Sequence, residues 1–279
     1  MQQASIRASL IISVYDNIRF LKAVLDSVCK QSCMAFEIII SEDAEHTQVK
    51  DFLATYPFLM PWQHLTQPDN GWQKNRALNR AIRAAKSDYL ILIDGDCILH
   101  PDFVRQHLSH AASNRILAGK RIKLNQRIST DYLSKNGHPL MLHKYILRHF
   151  FRLKKEGFRF HEEGLFLPDS GLIGTLLRKR RVRELKGCNM SFPKEAILAI
   201  NGFDETYQQP AIGEDVDLTW RFRAAGYTLQ SVRNAAVQYH LYHKEHWHDQ
   251  SENKAKMLSN QKANRFFCEM GINQHIAIP

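Results

Sequence analysis

The sequence predicts an α/β protein built on a mostly parallel sheet flanked by helices. Three observations carry this reading. Short, uninterrupted apolar runs such as Tyr89-Leu90-Ile91-Leu92-Ile93 have the composition of strands buried on both faces. These runs alternate with segments of helical periodicity, the pattern of a sheet covered on both sides. Three of the runs stop at acids, at Asp16, at Asp43 and at Asp94 with Asp96. Ligands of such sheets bind at the carboxyl ends of strands, so the three stops form one acidic rim.

In chain order, Leu10, Ile11, Ile12 and Val14 form the first strand, ending at Tyr15-Asp16. Phe20, Leu21, Val24, Leu25 and Val28 then repeat at helical spacing between about Arg19 and Gln31. Phe36 to Ile40 is the second strand, followed by Glu42-Asp43 and a helix from about Thr47 to Tyr56, closed by Pro57. A helix fits Gln73 to Lys86, with Ala77, Leu78, Ala81, Ile82 and Ala85 on its inner face. The strand at 89–93 follows, and Pro101 opens a helix from Asp102 to about His110. From about Ser129 to Glu184 the alternation breaks down into mixed aromatic and basic sequence, including RKRRVR at 178–183. It returns after Lys186 with a segment at 190–192, helices from Lys194 to Ile200 and from about Val216 to Ala225, and a strand-like end near Val237 to Tyr239. The tail from about Glu252 to Met270 reads as helix.

With 279 residues and 44% hydrophobic content, the chain suits one large folded domain rather than a disordered one. No apolar run approaches the roughly 18 residues of a bilayer span, and the N-terminal run is too short for a secretory signal. The five cysteines are scattered, Cys29 and Cys33 lack a second pair for zinc, and free thiols in a reducing cytoplasm are expected. A net charge of +10 calls for an anionic partner: nucleic acid, a phosphate-bearing substrate or a membrane surface.

Four groups of residues carry chemistry. Asp94-Gly95-Asp96 directly follows the most apolar strand, where two carboxylates can hold a divalent cation while the glycine lets the backbone approach a diphosphate. Gly213-Glu214-Asp215-Val216-Asp217 opens a helix. Dipole stabilisation explains one or two of these acids, and a Glu-Asp pair at a cleft can supply a general base. The run His240, His243, His246, His248 is either a polar surface segment or a source of metal ligands, with His240 preferred and His243 second. Lys74 and Arg76 sit in the first turn of a helix, where cations oppose the dipole unless an anion such as a bound phosphate holds them.

Together these segments resemble a family 2 glycosyltransferase of the GT-A fold, a Rossmann-like nucleotide-diphospho-sugar transferase. SVYDN at 13–17 is similar to the family's opening strand and turn. EIIISEDAE at 37–45 is similar to its second strand, and DNGWQKNRALNRAI at 69–82 to its Gly-to-Arg helix. DYLILIDGDCILHPDF at 88–103 resembles its metal-binding DXD strand. The most specific match is KGCNMSFPKEAILAINGFDETYQQPAIGEDVDLTWRFRAAGY at 186–227, which resembles an acceptor-side segment shared with galactosyltransferase-type C-terminal regions. Glu42-Asp43-Ala44-Glu45 departs from the usual Asp-Asp-Gly-Ser, and the segment after Gly71 keeps only the Arg of Ala-Ala-Arg-Asn.

The resemblance implies that Asp43 reads the donor's uracil, with Asp16 near the nucleoside and Arg76 near the base or diphosphate. Apart from the resemblance, Arg76 or Lys74 is expected to add to stabilisation of the departing diphosphate. Asp94 would touch the ribose, Asp96 would bind Mn²⁺ or Mg²⁺, and His240 sits where related enzymes place a metal-ligating histidine. Asp215 would be the catalytic base and Glu214 would help to hold the acceptor.

It divides residues 1–279, a single domain, into a nucleotide-sugar-binding half (1–128), a basic insert (129–185), an acceptor half (186–250) and a helical tail (251–279). The expected reaction is an inverting, metal-dependent transfer from a UDP-sugar to a glycan or glycolipid hydroxyl, in bacterial lipopolysaccharide, capsule or other surface polysaccharide synthesis. The expected setting is cytoplasmic. The insert, where Tyr145, Ile146, Phe150 and Phe151 accompany Arg148, Arg152, Lys154 and Lys155, is expected to dock on anionic lipid at the inner membrane face or on a phosphorylated acceptor. Two alternatives are a sugar-nucleotide pyrophosphorylase, whose Gly-rich N-terminal loop is missing, and a basic nucleic-acid-binding protein, for which no binding motif is visible.

Overall fold

A computed structural model describes residues 5–167, 171–244 and 249–275. His246 and His248 of the histidine run lie outside the described residues. The main sheet has seven strands in the order β3-β2-β1-β4-β8-β6-β9. They are β1 (Ala8–Val14), β2 (Phe36–Glu42), β3 (Trp62–Leu65), β4 (Tyr89–Asp94), β6 (Arg115–Ala118), β8 (Asn189–Pro193) and β9 (Thr228–Ser231). Every pairing is parallel except those of β8, which runs antiparallel to β4 and β6. A second sheet pairs β10 (Gln238–His240) between β5 (Cys97–Leu99) and β7 (Ile122–Lys123).

The uninterrupted apolar strands are buried on both faces, as their composition requires. Leu10, Ile12, Ile38, Ile40, Ile91 and Ile93 enter one core, and Ile11, Ile39, Leu90 and Leu92 enter the other, the period-2 alternation of a strand. The first core is closed by α1 (Ile18–Val28) and α2 (Thr47–Thr55), and the second by α3 (Lys74–Ala84) and later by α8 (Lys194–Leu198) and α9 (Asp217–Ala224). Helix α1 starts at Asn17, whose side chain accepts from the Phe20 N–H at 3.0 Å. The helix after β5 is α4 (Phe103–His110).

The stretch that breaks the sequence pattern is helical in part: α5 (Gln126–Ser134), α6 (Pro139–His149) and α7 (Gly171–Arg178). Residues near 237–239 form a strand, as expected, and it belongs to the small sheet. Two further elements differ from expectation. A π-helical turn (Ile212–Val216) precedes α9 and carries Glu214 and Asp215, so these acids sit in a widened turn ahead of the regular helix. The tail helix α10 spans Ser251–Lys262, shorter than the expected 252–270. Asn264, at φ +50°, takes the left-handed conformation that ends helices.

Candidate active site

Strands β1, β2 and β4 lie side by side, so Asp16, Asp43 and Asp94 fall along one edge. The register pairs Ser13 with both Ser41 and Asp94. Asp16 is exposed just beyond β1. Beside it the Tyr15 hydroxyl donates to Asp69 at 2.8 Å. Asp43 is buried, accepting from Gln67 Nε2 at 2.7 Å and from the Gln73 backbone N–H at 2.9 Å. Burial raises the Asp43 pKa, and these two hydrogen bonds work against that rise. Glu42 is fully buried between two imidazoles, His46 Nδ1 at 2.8 Å and His64 Nε2 at 2.6 Å, which tie the β2 end to its neighbours.

Asp94 is held on both oxygens. Lys74 Nζ lies 2.9 Å from Oδ1 and Arg121 Nη1 lies 3.0 Å from Oδ2. Lys74 also reaches Glu214 Oε2 at 2.7 Å, so one ammonium joins the end of β4 to the π turn. Burial works against its charge, yet Asp94 and Glu214 hold its pKa well above the ordinary lysine value. The cation in the first turn of α3 is thus answered by two carboxylates of the chain itself. Arg76, two residues on, is exposed and belongs to none of these pairs.

Asp96 meets two histidines. Its Oδ2 lies 3.1 Å from both His240 Nε2 and His243 Nε2, and the two nitrogens are 3.2 Å apart. The small sheet explains the convergence: β10 pairs His240 opposite Cys97, and the Leu241 N–H donates to the Asp96 carbonyl at 2.9 Å. Burial would raise the Asp96 pKa. The charge of His240 and hydrogen bonds from both imidazoles outweigh it and hold the carboxyl well below the usual range.

One carboxylate oxygen and two imidazole nitrogens at these separations suit a single divalent cation, as their donor types do. Two ring nitrogens aimed at each other also gain a common partner if an ion lies between them and Asp96. Asp94, Cys97 and Cys188 form a second group of possible ligands. There the carboxylate is already spent on Lys74 and Arg121, and burial pushes the Cys97 thiol well above its ordinary pKa.

Asp215 occupies a different environment. Its Oδ1 accepts from the Gly187 backbone N–H, and Lys186 Nζ lies 4.0 Å from Oδ2. A Cβ on residue 187 would stand 2.8 Å from Asp215 Oδ1, so glycine is what lets the backbone come this close. Burial first, then the neighbouring Glu214 charge, push the Asp215 pKa up to about 7.

Of the residues singled out from sequence, Asp94, Lys74 and Glu214 are linked directly, as are Asp96, His240 and His243. Gln67, Arg121, Lys186 and Gly187 were missed. Arg121 and Lys186 sit in basic stretches with nothing local to mark them, because their partners are about 27 and 29 residues away in the chain.

Residues 9–167 match the model of Glycosyl transferase family 2, and residues 175–244 match a model described as the N-terminal domain of galactosyltransferase. Chondroitin synthase of Escherichia coli is 24% identical over 242 residues, which is 85% of this chain and 34% of that protein. The chain therefore spans about a third of the length of this relative. Among solved structures, the mannosyltransferase PcManGT of Pyrobaculum calidifontis, in complex with GDP-Man and Mn²⁺, superposes with a TM-score of 0.56 at 15% identity. That match covers 93% of this chain and 64% of the other. S. aureus TarS residues 1–349, in complex with UDP-GlcNAc, superposes with a TM-score of 0.60 at 11% identity, covering 96% and 69%. At these identities the structural matches speak for the fold, which is GT-A. The first family match alone covers more than half of the residues, and the chain belongs to glycosyltransferase family 2.

Proposed function

We propose that the protein transfers a sugar from a UDP-sugar to a hydroxyl of a glycan or glycolipid, with inversion at the anomeric carbon, in the synthesis of a bacterial surface polysaccharide. The observation that carries this reading is the convergence of Asp96, His240 and His243 just beyond β4, two residues past an Asp94 held by Lys74 and Arg121. Asp43 and Asp16 line the nucleoside side of the same edge, with Arg76 and Lys74 toward the diphosphate. A Mn²⁺ or Mg²⁺ held by Asp96, His240 and His243 would supply Lewis-acid neutralisation of the departing diphosphate.

The Asp215 carboxylate takes the proton of the acceptor hydroxyl. That oxygen bonds to the anomeric carbon from the face opposite the leaving group, and the bond to the diphosphate oxygen breaks. Gly187 orients Asp215 through its backbone N–H. Glu214 holds the acceptor while staying paired with Lys74, so that the two sides of the cleft close on each other. Support for a nucleotide-sugar donor comes from the complexes of the structural neighbours with GDP-Man and UDP-GlcNAc, and support for a polysaccharide product from the chondroitin synthase relative. The proposed setting is the cytoplasm, with the acceptor at the inner membrane face.

Thermal unfolding with a panel of nucleotide sugars, with and without Mn²⁺, tests the reading. A donor at about 100 times its Kd stabilises by about 2.7 kcal/mol. One UDP-sugar should raise the Tm only when Mn²⁺ is present, and Asp96→Asn should remove the metal-dependent part. Stabilisation of equal size without Mn²⁺ would sink the assignment of the ion to Asp96, His240 and His243. No shift with any UDP-sugar would sink the choice of donor.

A further inference from the structure

Helix α6 and the turn that follows carry apolar side chains on two opposite faces. On the inner face Leu142, Ile146, Leu153 and Phe158 are buried and join the first core. On the outer face Leu140, Met141, Leu147 and Phe151 stand in water, with Met141 49%, Leu147 50% and Phe151 93% exposed. Leu140 and Leu147, seven residues apart, share one side of α6, and Phe151 follows in the 3₁₀ turn just past its end. Lys144, Arg148, Arg152, Lys154 and Lys155 are exposed around them, and no carboxylate occurs between Asp131 and Glu156.

A surface helix that only closes a core is polar on its outer face. Isolated exposed apolar residues are ordinary, but four grouped in one short segment whose only charged residues are cations have the composition of an interfacial helix. A soluble polyanion would engage the cations and leave Phe151 and Leu147 in water. A bilayer surface uses both sets of side chains.

We infer that this face docks on an anionic phospholipid surface, seating Phe151, Leu147, Leu140 and Met141 at the boundary between headgroups and acyl chains with the Lys and Arg side chains among the phosphates. It would act as a peripheral anchor, since no helix among the described residues is long and apolar enough to cross a membrane. Past the docking face, the backbone of Arg159 pairs with Lys123 of β7, and β7 in turn pairs with β10, which carries His240. The anchor is thus built onto the small sheet that carries His240. Docking needs only this surface, and it stands whether or not the acceptor is a lipid.

Co-sedimentation of the full chain with vesicles tests it, comparing phosphatidylcholine alone with phosphatidylcholine mixed with phosphatidylglycerol. The protein should pellet with the mixed vesicles and lose binding as salt is added. Combining Phe151→Ala with Leu147→Ala should weaken binding at least about tenfold. Combining Arg152→Gln with Lys155→Gln should weaken it about thirtyfold. All four side chains are exposed, so the Tm of both variants should match the parent protein, and a matched Tm separates lost docking from lost folding. Equal pelleting with neutral vesicles, or none with either, would overturn the inference. Unchanged binding by the Phe151 and Leu147 variant would overturn it too, in favour of a soluble polyanion read by the cations alone.

Discussion

The carboxylates at the ends of the parallel strands and those of the π turn are the same chemical group in opposite electrostatic surroundings. Asp94 has a cation on each oxygen, and Asp96 has two imidazoles on one oxygen and a pKa held well below the usual range. Glu214 shares Lys74 with Asp94, while the adjacent Asp215 has Lys186 4.0 Å away and a pKa pushed up to about 7. A carboxylate that stays ionised can hold a cation, and one poised near neutrality can take up and release a proton. When two acids in one cleft have proton affinities driven apart, the division of labour between them follows.

The sharpest test of this contrast is Asp215→Asn. Loss of a general base typically costs about 10²–10⁴-fold in turnover. The expected outcome is a fall in kcat within that range, with the donor-dependent Tm shift retained, because Asn keeps the side-chain oxygen that accepts from Gly187. A variant that instead lost donor binding while keeping kcat would move Asp215 from the proton-transfer side of the comparison to the binding side.

The pH dependence sharpens the same contrast without removing the base. Asp215 in the folded chain binds its proton more tightly than an ordinary aspartate does, with a pKa of about 7 against 3.8. The folded state therefore loses stability as pH rises from about 3.8 toward 7. A base at this position becomes active over the upper part of the same window, so kcat/KM should climb through an apparent pKa near 7. The neighbours set the direction of change. Removing the Glu214 charge with Glu214→Gln should move the climbing limb to lower pH, and removing the Lys186 charge with Lys186→Met should move it to higher pH. Limbs that stay in place in both variants would assign the titration to another group.

What could be read from sequence follows the physics of each element. Strands β1, β2 and β4 were legible because burial on both faces demands an unbroken apolar run. Strand β9 lies at the sheet edge and reads Thr-Leu-Gln-Ser, and β3 at the other edge has an exposed Trp62, so neither shows such a run. The acids of the rim were legible because they end buried strands.

Their partners were not. Arg121 reaches Asp94 from beyond β6, and Gly187 reaches Asp215 only because α9 lies against the segment before β8, with Thr219 accepting the Leu185 N–H. The choice between His240 and His243 could not be settled by spacing, and in the folded chain both face Asp96. Helix α6 escaped the pattern because its second apolar face disguises the usual amphipathic rhythm.

The smallest expected effect concerns how the π turn is built. Ala211, just ahead of it, has φ +83° and ψ −87°, a conformation that a residue with a Cβ rarely adopts. Such strain costs about 1–3 kcal/mol, and glycine relieves it at an entropic cost of roughly 0.5–1 kcal/mol. Ala211→Gly should therefore stabilise the fold by about 1 kcal/mol, read as a higher denaturant midpoint at unchanged m-value. None of the residues that carry the strand-end carboxylates has a positive φ, so no comparable gain is available there. The same substitution frees the backbone just before Glu214 and Asp215, so a fewfold lower kcat should accompany the gain in stability. A loss of stability would mean that the Ala211 methyl group is packed rather than strained, and the π turn would then be as well supported as the strand ends it faces.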